Sequence, residues 1–509
     1  MVIVGGGATG LGLALDATLR GLDVVLLEAE DFASGTSSRA TKLIHGGVRY
    51  LAQGNIALVR EALHERTTIL RNAPHLAGRL GFIMPGFKCW QMPFYGAGLK
   101  AYDALAGRDG MGSTRFLSAR QVKQALPGVQ SHRLKGGVQY WDGQFDDARL
   151  ALALARTAAS QGALLVNYCP VDGLLHEEGR VAGVQCRDAE TGVTYTVRAK
   201  VVVNAAGVWV DALRNMDADG QGQAATPMVR PSQGVHLVVS QRFMPGNQAL
   251  LVPRTSDGRV LFAVPWLGKL ILGTTDTPRE GLPAEPRPFG HEVQFILSEA
   301  ARYLDTAPTP EDVTSAWAGL RPLVNQPQGD STSTGGLSRE HTIRLSPSGL
   351  VTVTGGKWTT YRAMADDVLQ RCVDWHLLPA LPACTTARFP LIGTEGAEQR
   401  DLAQQPGLDA YGNEAGAVLA LEQEDDVAIV PGLTPAMVRF AVRHEYARCV
   451  ADVLGRRSRL LFLDAAAAER AASTVANLMQ AEGIEQPRHS EFVALAQQYQ
   501  TLCDASTTG

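Results

Sequence analysis

The chain has 509 residues, of which 45% are hydrophobic and 19% charged. That length is enough for about two or three domains, and the composition is that of a globular protein rather than a disordered or fibrous one. The formal net charge is −4, whereas nucleic-acid binders are normally basic, so we exclude nucleic acid as a partner.

Cysteine usage and apolar runs limit the setting in which the chain works. The seven cysteines include no C-x-x-C spacing, which favours a reducing, cytosolic compartment over a disulfide framework, and we predict no metal site. We expect no secretory signal and no membrane-spanning segment, because no basic start precedes an apolar stretch and no apolar run reaches about 18 residues. Contact with a membrane surface needs only a surface patch and stays open.

The first 28 residues predict a βαβ unit that binds a dinucleotide. A short strand at 2–4 is followed by GGGATG, a helix over about 11–20 and a second strand at 24–27. The strand at 2–4 is shorter than the usual five or six residues, so we expect that upstream residues are missing. Chance occurrence of a glycine-rich turn is the alternative to nucleotide binding.

Three glycines and one acid carry the nucleotide prediction. Gly5 permits the tight turn, Gly7 lets the backbone approach a pyrophosphate, and Gly10 allows close helix–strand packing. The helix N-terminus offers free N–H groups to phosphates. Glu28 ends the second strand, where its carboxylate accepts hydrogen bonds from ribose hydroxyls and disfavours NADP.

The next segment indicates which dinucleotide is bound. Residues 34–50 read SGTSSRATKLIHGGVRY, a small polar stretch that closes on two glycines. Its hydroxyls and backbone amides can wrap a pyrophosphate and run beside an isoalloxazine ring, and NAD enzymes need no second glycine-rich wrap here. The segment therefore favours FAD, with an ordinary polar loop as the alternative.

Motifs along nearly the whole chain carry a family resemblance. They are TSSxxxKLIHGGxRYL (36–51), DDARL (146–150), NAAGVW (204–209), GTTD (273–276), GLRPL (319–323), GGKxTTYR (355–362) and HEYAR (444–448). Together they resemble the FAD-dependent glycerol-3-phosphate dehydrogenases, which are quinone-reducing enzymes. Trp358 departs from the pattern, because it stands where leucine is expected.

The resemblance implies non-covalent FAD and a set of cofactor contacts. These are Gly5, Gly7, Gly10, Glu28, Ser37, Ser38, Leu43, His45, Ala206, Gly207, Gly356 and Thr360. A physical argument supports the last two. Residues 355–356 end a strand and 359–360 open a helix, whose N-terminal dipole would stabilise the anionic reduced flavin.

The fold class that we expect is α/β. It comprises a Rossmann-like FAD-binding domain of the glutathione-reductase/D-amino-acid-oxidase type, a mixed β-sheet substrate domain and an all-helical C-terminal domain. A change of composition near 380–390 marks the last boundary. The predicted ranges are 1–75, 140–225 and 335–378 for FAD, 76–139 and 226–334 for substrate, and 385–509 for the helical domain, with one helix over 435–454.

Glycerol 3-phosphate carries a dianionic phosphate, so its pocket needs several cations, among which Arg offers a bidentate fork. The resemblance implies that Arg49, Arg321, Arg339 and Lys357 bind it, with help from Tyr50. Arg321 lies on a rigid turn, whereas Glu340 could simply neutralise Arg339. A single arginine is more often a solvated surface charge than a ligand.

Oxidation of glycerol 3-phosphate to dihydroxyacetone phosphate moves a hydride from C2 to flavin N5, and the C2 hydroxyl loses its proton. A neutral imidazole suits that proton near pH 7. The resemblance points to His236, on an apolar strand, as the base, with Arg321 and Lys357 stabilising the developing alkoxide. A hydrogen-bonded core histidine is the alternative reading of His236.

The resemblance implies a membrane quinone as electron acceptor and a peripheral position on the inner face of the cell membrane, reached from the cytoplasm. A homodimer is compatible with it. Candidate membrane surfaces are the aromatic segment 82–102 and the arginine-rich helix after 435. A flavin oxidase of glycerol phosphate or a D-amino acid that uses oxygen is the alternative, and a non-catalytic flavin-binding redox sensor is the third reading.

Overall fold

The computed structural model describes residues 1–48, 51, 54–88, 90–219, 225–325 and 340–503. The strands in chain order are β1 (Val2–Val4), β2 (Val25–Leu27), β3 (Leu43–Ile44), β4 (Ala77–Gly86), β5 (Arg115–Ser118), β6 (Gly136–Phe145), β7 (Leu164–Val166), β8 (Val171–Glu177), β9 (Arg180–Arg187), β10 (Thr194–Arg198), β11 (Val202–Asn204), β12 (Val229–Ser240), β13 (Gln248–Val252), β14 (Leu261–Trp266), β15 (Lys269–Gly273), β16 (Thr277–Pro278), β17 (Val313–Val324), β18 (His341–Leu345) and β19 (Val351–Gly355).

The α-helices of the described ranges alternate with these strands and then continue alone. They are α1 (Ala8–Leu19), α2 (Ile56–Asn72), α3 (Gln91–Ala106), α4 (Ala119–Ala125), α5 (Asp147–Ser160), α6 (Val210–Asp219), α7 (Gly290–Tyr303), α8 (Tyr361–Asp374), α9 (Ala415–Leu419), α10 (Pro435–His444), α11 (Leu460–Leu463), α12 (Ala465–Ala481) and α13 (His489–Gln500).

A six-stranded sheet in the order β18-β19-β11-β1-β2-β7 carries the nucleotide turn. Its central strands are short, mostly buried and mostly apolar, and they pair in parallel, with Ile3 opposite Leu26 on one side and Val203 on the other. Buried parallel strands need helices on both faces. The carboxyl ends of β1, β2 and β11 therefore meet at one edge, where ligands bind in doubly wound sheets.

A second, larger sheet forms the opposite wall of the site. It runs β16-β12-β15-β14-β13-β4-β6-β3, with β17 on the other side of β12 and β5 on β6. The long strand β12 pairs antiparallel with both β15 and β17, and this register sets His236 between Gly273 and Trp317. A three-stranded sheet, β10-β9-β8, completes the β-structure of the described residues.

The helical C-terminal part packs on the back of the large sheet. Thr314 and Ser315 of β17 donate hydrogen bonds to the carbonyls of Leu463 and Leu461, at 2.7 and 2.8 Å. Lys269 of β15 pairs with Asp464, the residue that caps α12. These contacts hold the segment around α11 directly behind the strands that line the site.

The predicted helix over 435–454 is wrong in its second half, because α10 ends at His444. Glu445 is fully buried and its carboxylate pairs with Arg149, while Tyr446 takes a left-handed backbone with φ +59°. A long-range ion pair thus ends a helix that the local apolar spacing would have continued.

The predicted domain ranges stay a prediction. The strand composition of the two sheets can be compared with them. The six-stranded sheet draws strands from residues 2–27, 164–204 and 341–355. The large sheet includes β3 and the whole of β6, so it takes in residues 43–44 and 140–145 of the range predicted for FAD. The two sheets therefore interleave along the chain.

Candidate active site

One continuous cavity of about 1670 Å³ lies between the two sheets. The nucleotide turn, the polar loop after β2 and the turn after β19 line one part of it, and β12, β17 and the turn after β15 line another. It extends between apolar side chains to α3. The cavity thus combines a nucleotide site, a polar centre and an apolar arm.

The glycines of the first turn stand where a side chain would collide. A Cβ on Gly10 would lie 1.9 Å from the carbonyl oxygen of Gly5, and a Cβ on Gly5 would lie 2.6 Å from that of Ala205. Gly5 also has φ +113°. Gly7 precedes α1 and faces the cavity, and it has no side chain of its own that could cap the helix. The helix N-terminus is built to receive an anionic group.

Glu28 lies at the cavity edge and its carboxylate is already oriented. Its two oxygens accept hydrogen bonds from the backbone N–H groups of Gly6 and Glu30, at 2.6 and 3.0 Å. Burial raises the pKa of the Glu28 carboxyl, and these two N–H donors oppose that rise. A carboxylate fixed in this way is placed to accept from ribose hydroxyls.

The polar loop after β2 is fastened to the turn and to Trp358. Ser37 accepts a hydrogen bond from the N–H of Ala8 at 2.9 Å, and its carbonyl accepts one from the Trp358 indole at 2.8 Å. Trp358, the departure from the family pattern, also packs edge-on against Phe145 and Tyr361. The indole therefore braces the loop, which leucine could not do by hydrogen bonding.

Residues 355–357 form the second glycine turn of the cavity. Gly355 and Gly356 have φ +81° and +75°, and a Cβ on Gly356 would lie 2.4 Å from the sulfur of Met364. Lys357 follows and lines the cavity. A single 3₁₀ turn, Trp358–Thr360, separates it from α8, so the helix points its N-terminus at this turn.

His236 is buried in the wall of the cavity. Its Nε2 lies 2.9 Å from the Thr41 hydroxyl, its ring stacks on Trp317 at 4.2 Å between centroids, and its Nδ1 has no hydrogen-bond partner among the described residues. Burial, together with the positive charges of Lys42 and Arg321, holds the pKa of His236 well below its usual value. The imidazole is therefore neutral at physiological pH.

Arg321 lies within strand β17, opposite Ser232, so the predicted rigid turn at this residue is wrong. Its guanidinium lies over Gly234, on the side of His236, and is held in place by the turn after β15. Its guanidinium donates to the carbonyl of Thr275 at 3.0 Å and to the hydroxyl of Thr274 at 3.1 Å, and it lies 3.7 Å from the Asp276 carboxylate. Gly234 makes room for it, because a Cβ there would lie 2.3 Å from Nη2. The cation is fixed at the cavity wall.

The predicted site residues fall into three groups. The cavity wall includes Gly5, Gly7, Glu28, Ser37, Leu43, His45, Ala206, Gly207, His236, Arg321, Gly356 and Lys357. Gly10, Ser38 and Thr360 stand behind the wall, where Gly10 serves helix packing and Ser38 is buried. Arg49, Tyr50 and Arg339 lie outside the described residues. The roles of all of them remain predictions.

Three polar residues around the centre were missed by sequence reasoning. Thr41 orients His236, and Lys42 is fully buried beneath it. Glu292 accepts from Thr275, whose carbonyl holds Arg321. Thr41 and Lys42 belong to the segment 34–50, so the motif indicated that this stretch lies at the site. The local sequence does not indicate which of its side chains point away from the cavity. Glu292 comes from α7 and gave no signal.

The apolar arm of the cavity ends at α3, and the segment 82–102 divides accordingly. Phe82 and Tyr102 are buried, whereas Trp90 and Phe94 are 57% and 68% exposed. Phe94 also lines the cavity. An exposed aromatic group therefore lies where the apolar arm reaches the surface.

The arginines of the stretch after 435, the second candidate for membrane contact, are engaged in ion pairs. Its arginines pair with carboxylates, as Arg439 with Asp426, Arg443 with Glu482, Arg448 with Glu190, Arg456 and Arg457 with Asp31, and Arg459 with Asp147. Four of them, Arg439, Arg456, Arg457 and Arg459, have side chains at most 12% exposed. The ion pairs do not favour this stretch as a membrane-contact surface, which stays a prediction.

The residues present fit FAD on structural grounds. Gly207, at φ +60°, faces the cavity with open space where a Cβ would stand, and the two glycine turns and the acid of β2 surround the same volume. Fold and site together define a dinucleotide-dependent oxidoreductase. Within the described residues, no helix is long and apolar enough to span a bilayer.

Comparison with known families and proteins agrees with this class. Residues 1–363 match the model described as FAD dependent oxidoreductase, and residues 384–483 match that of the C-terminal domain of alpha-glycerophosphate oxidase. The mitochondrial glycerol-3-phosphate dehydrogenase of Mus musculus is 41% identical over 94% of this chain and 70% of its own length.

Two solved structures extend the comparison. The glycerol-3-phosphate dehydrogenase from Bacillus halodurans, complexed with FAD, is 30% identical with a TM-score of 0.76, covering 99% of this chain and 94% of its own. L-alpha-glycerophosphate oxidase from Mycoplasma pneumoniae, at 18% identity, TM-score 0.56 and coverage of 76% and 97%, shares the fold. This chain belongs to the family of FAD-dependent glycerol-3-phosphate dehydrogenases, and its cofactor is FAD.

Proposed function

We propose that the protein oxidises sn-glycerol 3-phosphate to dihydroxyacetone phosphate and passes the electrons to a membrane quinone. One observation carries this proposal: a neutral buried imidazole, His236, and a fixed guanidinium, Arg321, line the same wall of the cavity. The nucleotide site forms the other wall. The names of the relatives support the same substrate.

Arg321 and Lys357 are the described cations that would hold the anionic substrate. Arg321 lies on β17 and Lys357 follows β19, so they approach the cavity from the two different sheets. A phosphate dianion between them would gain charge-assisted hydrogen bonds. Arg49, Tyr50 and Arg339 are predicted to complete this pocket.

His236 would accept the proton of the C2 hydroxyl. The ring is neutral because burial and two nearby cations disfavour its charged form, and the Thr41 hydroxyl fixes its orientation. Arg321, beside it, would stabilise the negative charge that develops on the C2 oxygen. When bound, FAD supplies the hydride acceptor for the same carbon.

The apolar arm supports a quinone as the second substrate. It leads from the polar centre past buried side chains such as Phe82 to α3, where Trp90 and Phe94 are exposed. A prenylated quinone needs an apolar route between its bilayer and the flavin. We propose that α3 contacts the cytoplasmic face of the cell membrane peripherally and that the arm admits the quinone ring.

A flavin oxidase that uses oxygen is the competing function. It is favoured by one observation, the match of residues 384–483 to the C-terminal domain of alpha-glycerophosphate oxidase. That domain lies behind the sheet, away from the apolar arm, so it does not bear on the acceptor. The two functions differ in their products, because an oxidase releases hydrogen peroxide in air.

The test is an absorbance spectrum of the purified holoenzyme, taken anaerobically before and after addition of glycerol 3-phosphate. Bleaching of the flavin bands is expected, followed by their return when a water-soluble quinone is added. A flavin that stays oxidised with this alcohol would refute the substrate. Rapid return of the bands with oxygen, and no faster return with quinone, would favour the oxidase.

A further inference from the structure

A buried lysine lies directly behind the proposed base, outside the cavity that would hold the substrate. Lys42 is fully buried, does not line the cavity, and has a left-handed backbone with φ +64°. Its ammonium donates to the carbonyl of Ser38 and to the carboxylate of Asp147, both at 2.7 Å. Strained backbone at a non-glycine residue persists only where the surroundings enforce it.

A second buried cation, from the C-terminal part, meets the same two acceptors. Arg459 also has a left-handed backbone, with φ +65°, and its guanidinium donates to the Ser38 carbonyl at 2.8 Å and to Asp147 at 3.1 Å. The loop that carries Thr41 is thus fastened from behind by Lys42 and Arg459 together. Asp147 accepts the N–H of Ala40 as well, at 3.0 Å.

Aromatic rings enclose the Lys42 ammonium and connect it to the base. The ammonium lies 4.7, 5.2 and 5.4 Å from the ring centroids of Trp317, Trp266 and Phe462. Trp317 is the same indole on which the His236 ring stacks. Lys42 and His236 are both buried, so a charge on Lys42 acts on His236 with little screening by solvent.

We propose that Lys42 is a positioning residue for proton transfer: held by Asp147, it fixes the Thr41 loop together with Arg459 and keeps His236 in its neutral, proton-accepting form. This proposal rests on the proposed role of His236 as the base. It adds that the C-terminal domain takes part in the reaction at a distance, through Arg459.

The charges around the two groups give the sign of the effect. Asp147 and Asp146 on α5, and Arg459 before α11, face Lys42, while Lys42 and Arg321 face His236. The pKa of Lys42 is lowered to about 7, because the effects of burial and of the Arg459 charge outweigh the opposing effect of Asp147. As pH falls through about 7, the proton goes to Lys42, and its charge then opposes protonation of His236.

Two neutral variants separate charge from hydrogen bonding. Lys42→Gln retains an amide that can reach Ser38 or Asp147, and Lys42→Met retains neither. In either holoenzyme the lost charge should raise the pKa of His236. At saturating glycerol 3-phosphate in anaerobic single turnovers, the rate of flavin reduction should then fall by up to about 4-fold between pH 8 and pH 6, which is the loss expected if the pKa of His236 returns to its ordinary value of about 6.5, with no comparable loss in the wild type.

A second readout does not depend on turnover. The protein is labelled on its histidine rings, and the NMR signal of His236 is identified by its absence in His236→Gln. This signal should not titrate between about pH 5 and 8 in the wild type, and it should titrate in Lys42→Gln. Arg457→Met is the matched control, because Arg457 is a buried cation of the same C-terminal segment that pairs with Asp31 instead. Its profile should match the wild type.

Each outcome supports or overturns the proposal. The proposal is overturned if Lys42→Gln lowers the rate equally at every pH and leaves the titration of the His236 signal as in the wild type. Lys42 would then have a structural role only. Should neither variant hold FAD, a wild-type His236 signal that titrates near pH 6.5 overturns the proposal by itself. Failure of the proposed function looks different, because then the wild-type flavin is not reduced or His236→Gln is reduced at the normal rate.

Discussion

His236 and Gly273 lie directly opposite each other in the antiparallel pairing of β12 and β15, and a Cβ on Gly273 would come 2.5 Å from Cδ2 of the imidazole. The absence of a side chain on one strand therefore decides where the ring on the next can lie. Trp317 closes the other side by stacking.

Gly273→Ala should accordingly slow flavin reduction by glycerol 3-phosphate, by about 10-fold or more, because a misplaced base loses its hydrogen-bonding geometry. FAD content should be unchanged. Stopped-flow absorbance under anaerobic conditions measures the rate. Gly416→Ala is the control, since a Cβ at Gly416 meets open space and the rate should stay normal. Equal rates in both variants would contradict this placement of the ring.

Removal of the imidazole tests the base itself. His236→Ala should slow the single-turnover reduction by roughly 10²-fold or more while the protein remains yellow. Because the pKa of His236 is held well below its usual value, the wild-type rate should show no loss as pH falls from about 8 to 6. A normal rate in the variant removes His236 from the chemistry.

Arg321 should matter for both binding and turnover. Arg321→Ala removes a cation that Thr274 and Thr275 hold at the cavity wall, so kcat/KM for glycerol 3-phosphate should fall about 10²-fold with FAD retained. Steady-state kinetics with an artificial electron acceptor give both constants. Arg242→Ala, at an exposed ion pair on the far end of β12, should leave them unchanged. Unaltered kinetics in Arg321→Ala would exclude it from the phosphate pocket.

Part of the site could be predicted from the sequence and part could not. The turn at Gly5, Gly7 and Gly10 could be predicted because its demands are local: a tight bend and a helix start within six residues. The contact of His236 with Gly273 could not, because it depends on the register between strands 37 residues apart, which no local pattern specifies.

The same limit explains the errors. The apolar spacing after 435 continues past His444, yet the buried pair of Glu445 with Arg149 ends the helix. Lys42 stands in a recognisable motif, but its burial follows from three aromatic rings that come from β14, β17 and α11. Tertiary contacts of this kind override what neighbouring residues favour.

The exposed aromatic pair at α3 provides the test of membrane contact. Trp90→Ser combined with Phe94→Ser should weaken sedimentation with phosphatidylglycerol vesicles by about 10-fold, because two half-exposed aromatic side chains supply the apolar contact. Reduction of the flavin by glycerol 3-phosphate should be normal, since neither side chain touches the polar centre. Tyr195→Ser, which changes an aromatic residue 51% exposed on the three-stranded sheet, is the control. Equal vesicle binding by all three proteins would place the contact elsewhere.

The buried pair of Arg149 with Glu445 ties the helical part to α5, and its loss should be costly. The two side chains are 7% and 1% exposed and lie 2.7 Å apart, with the guanidinium 4.2 Å above the Tyr411 ring. Arg149→Met leaves the Glu445 carboxylate buried without its cation, so unfolding should become easier by about 3–5 kcal/mol. Arg187→Met breaks an ion pair whose partners are both 48% exposed and should cost about 0–1 kcal/mol.

Urea unfolding followed by circular dichroism measures both variants in the same FAD-saturated buffer. The double variant Arg149→Met with Glu445→Leu should recover much of the loss, because it removes the uncompensated charge together with the pair. If Arg149→Met is no less stable than Arg187→Met, the pair does not hold the C-terminal segment in place.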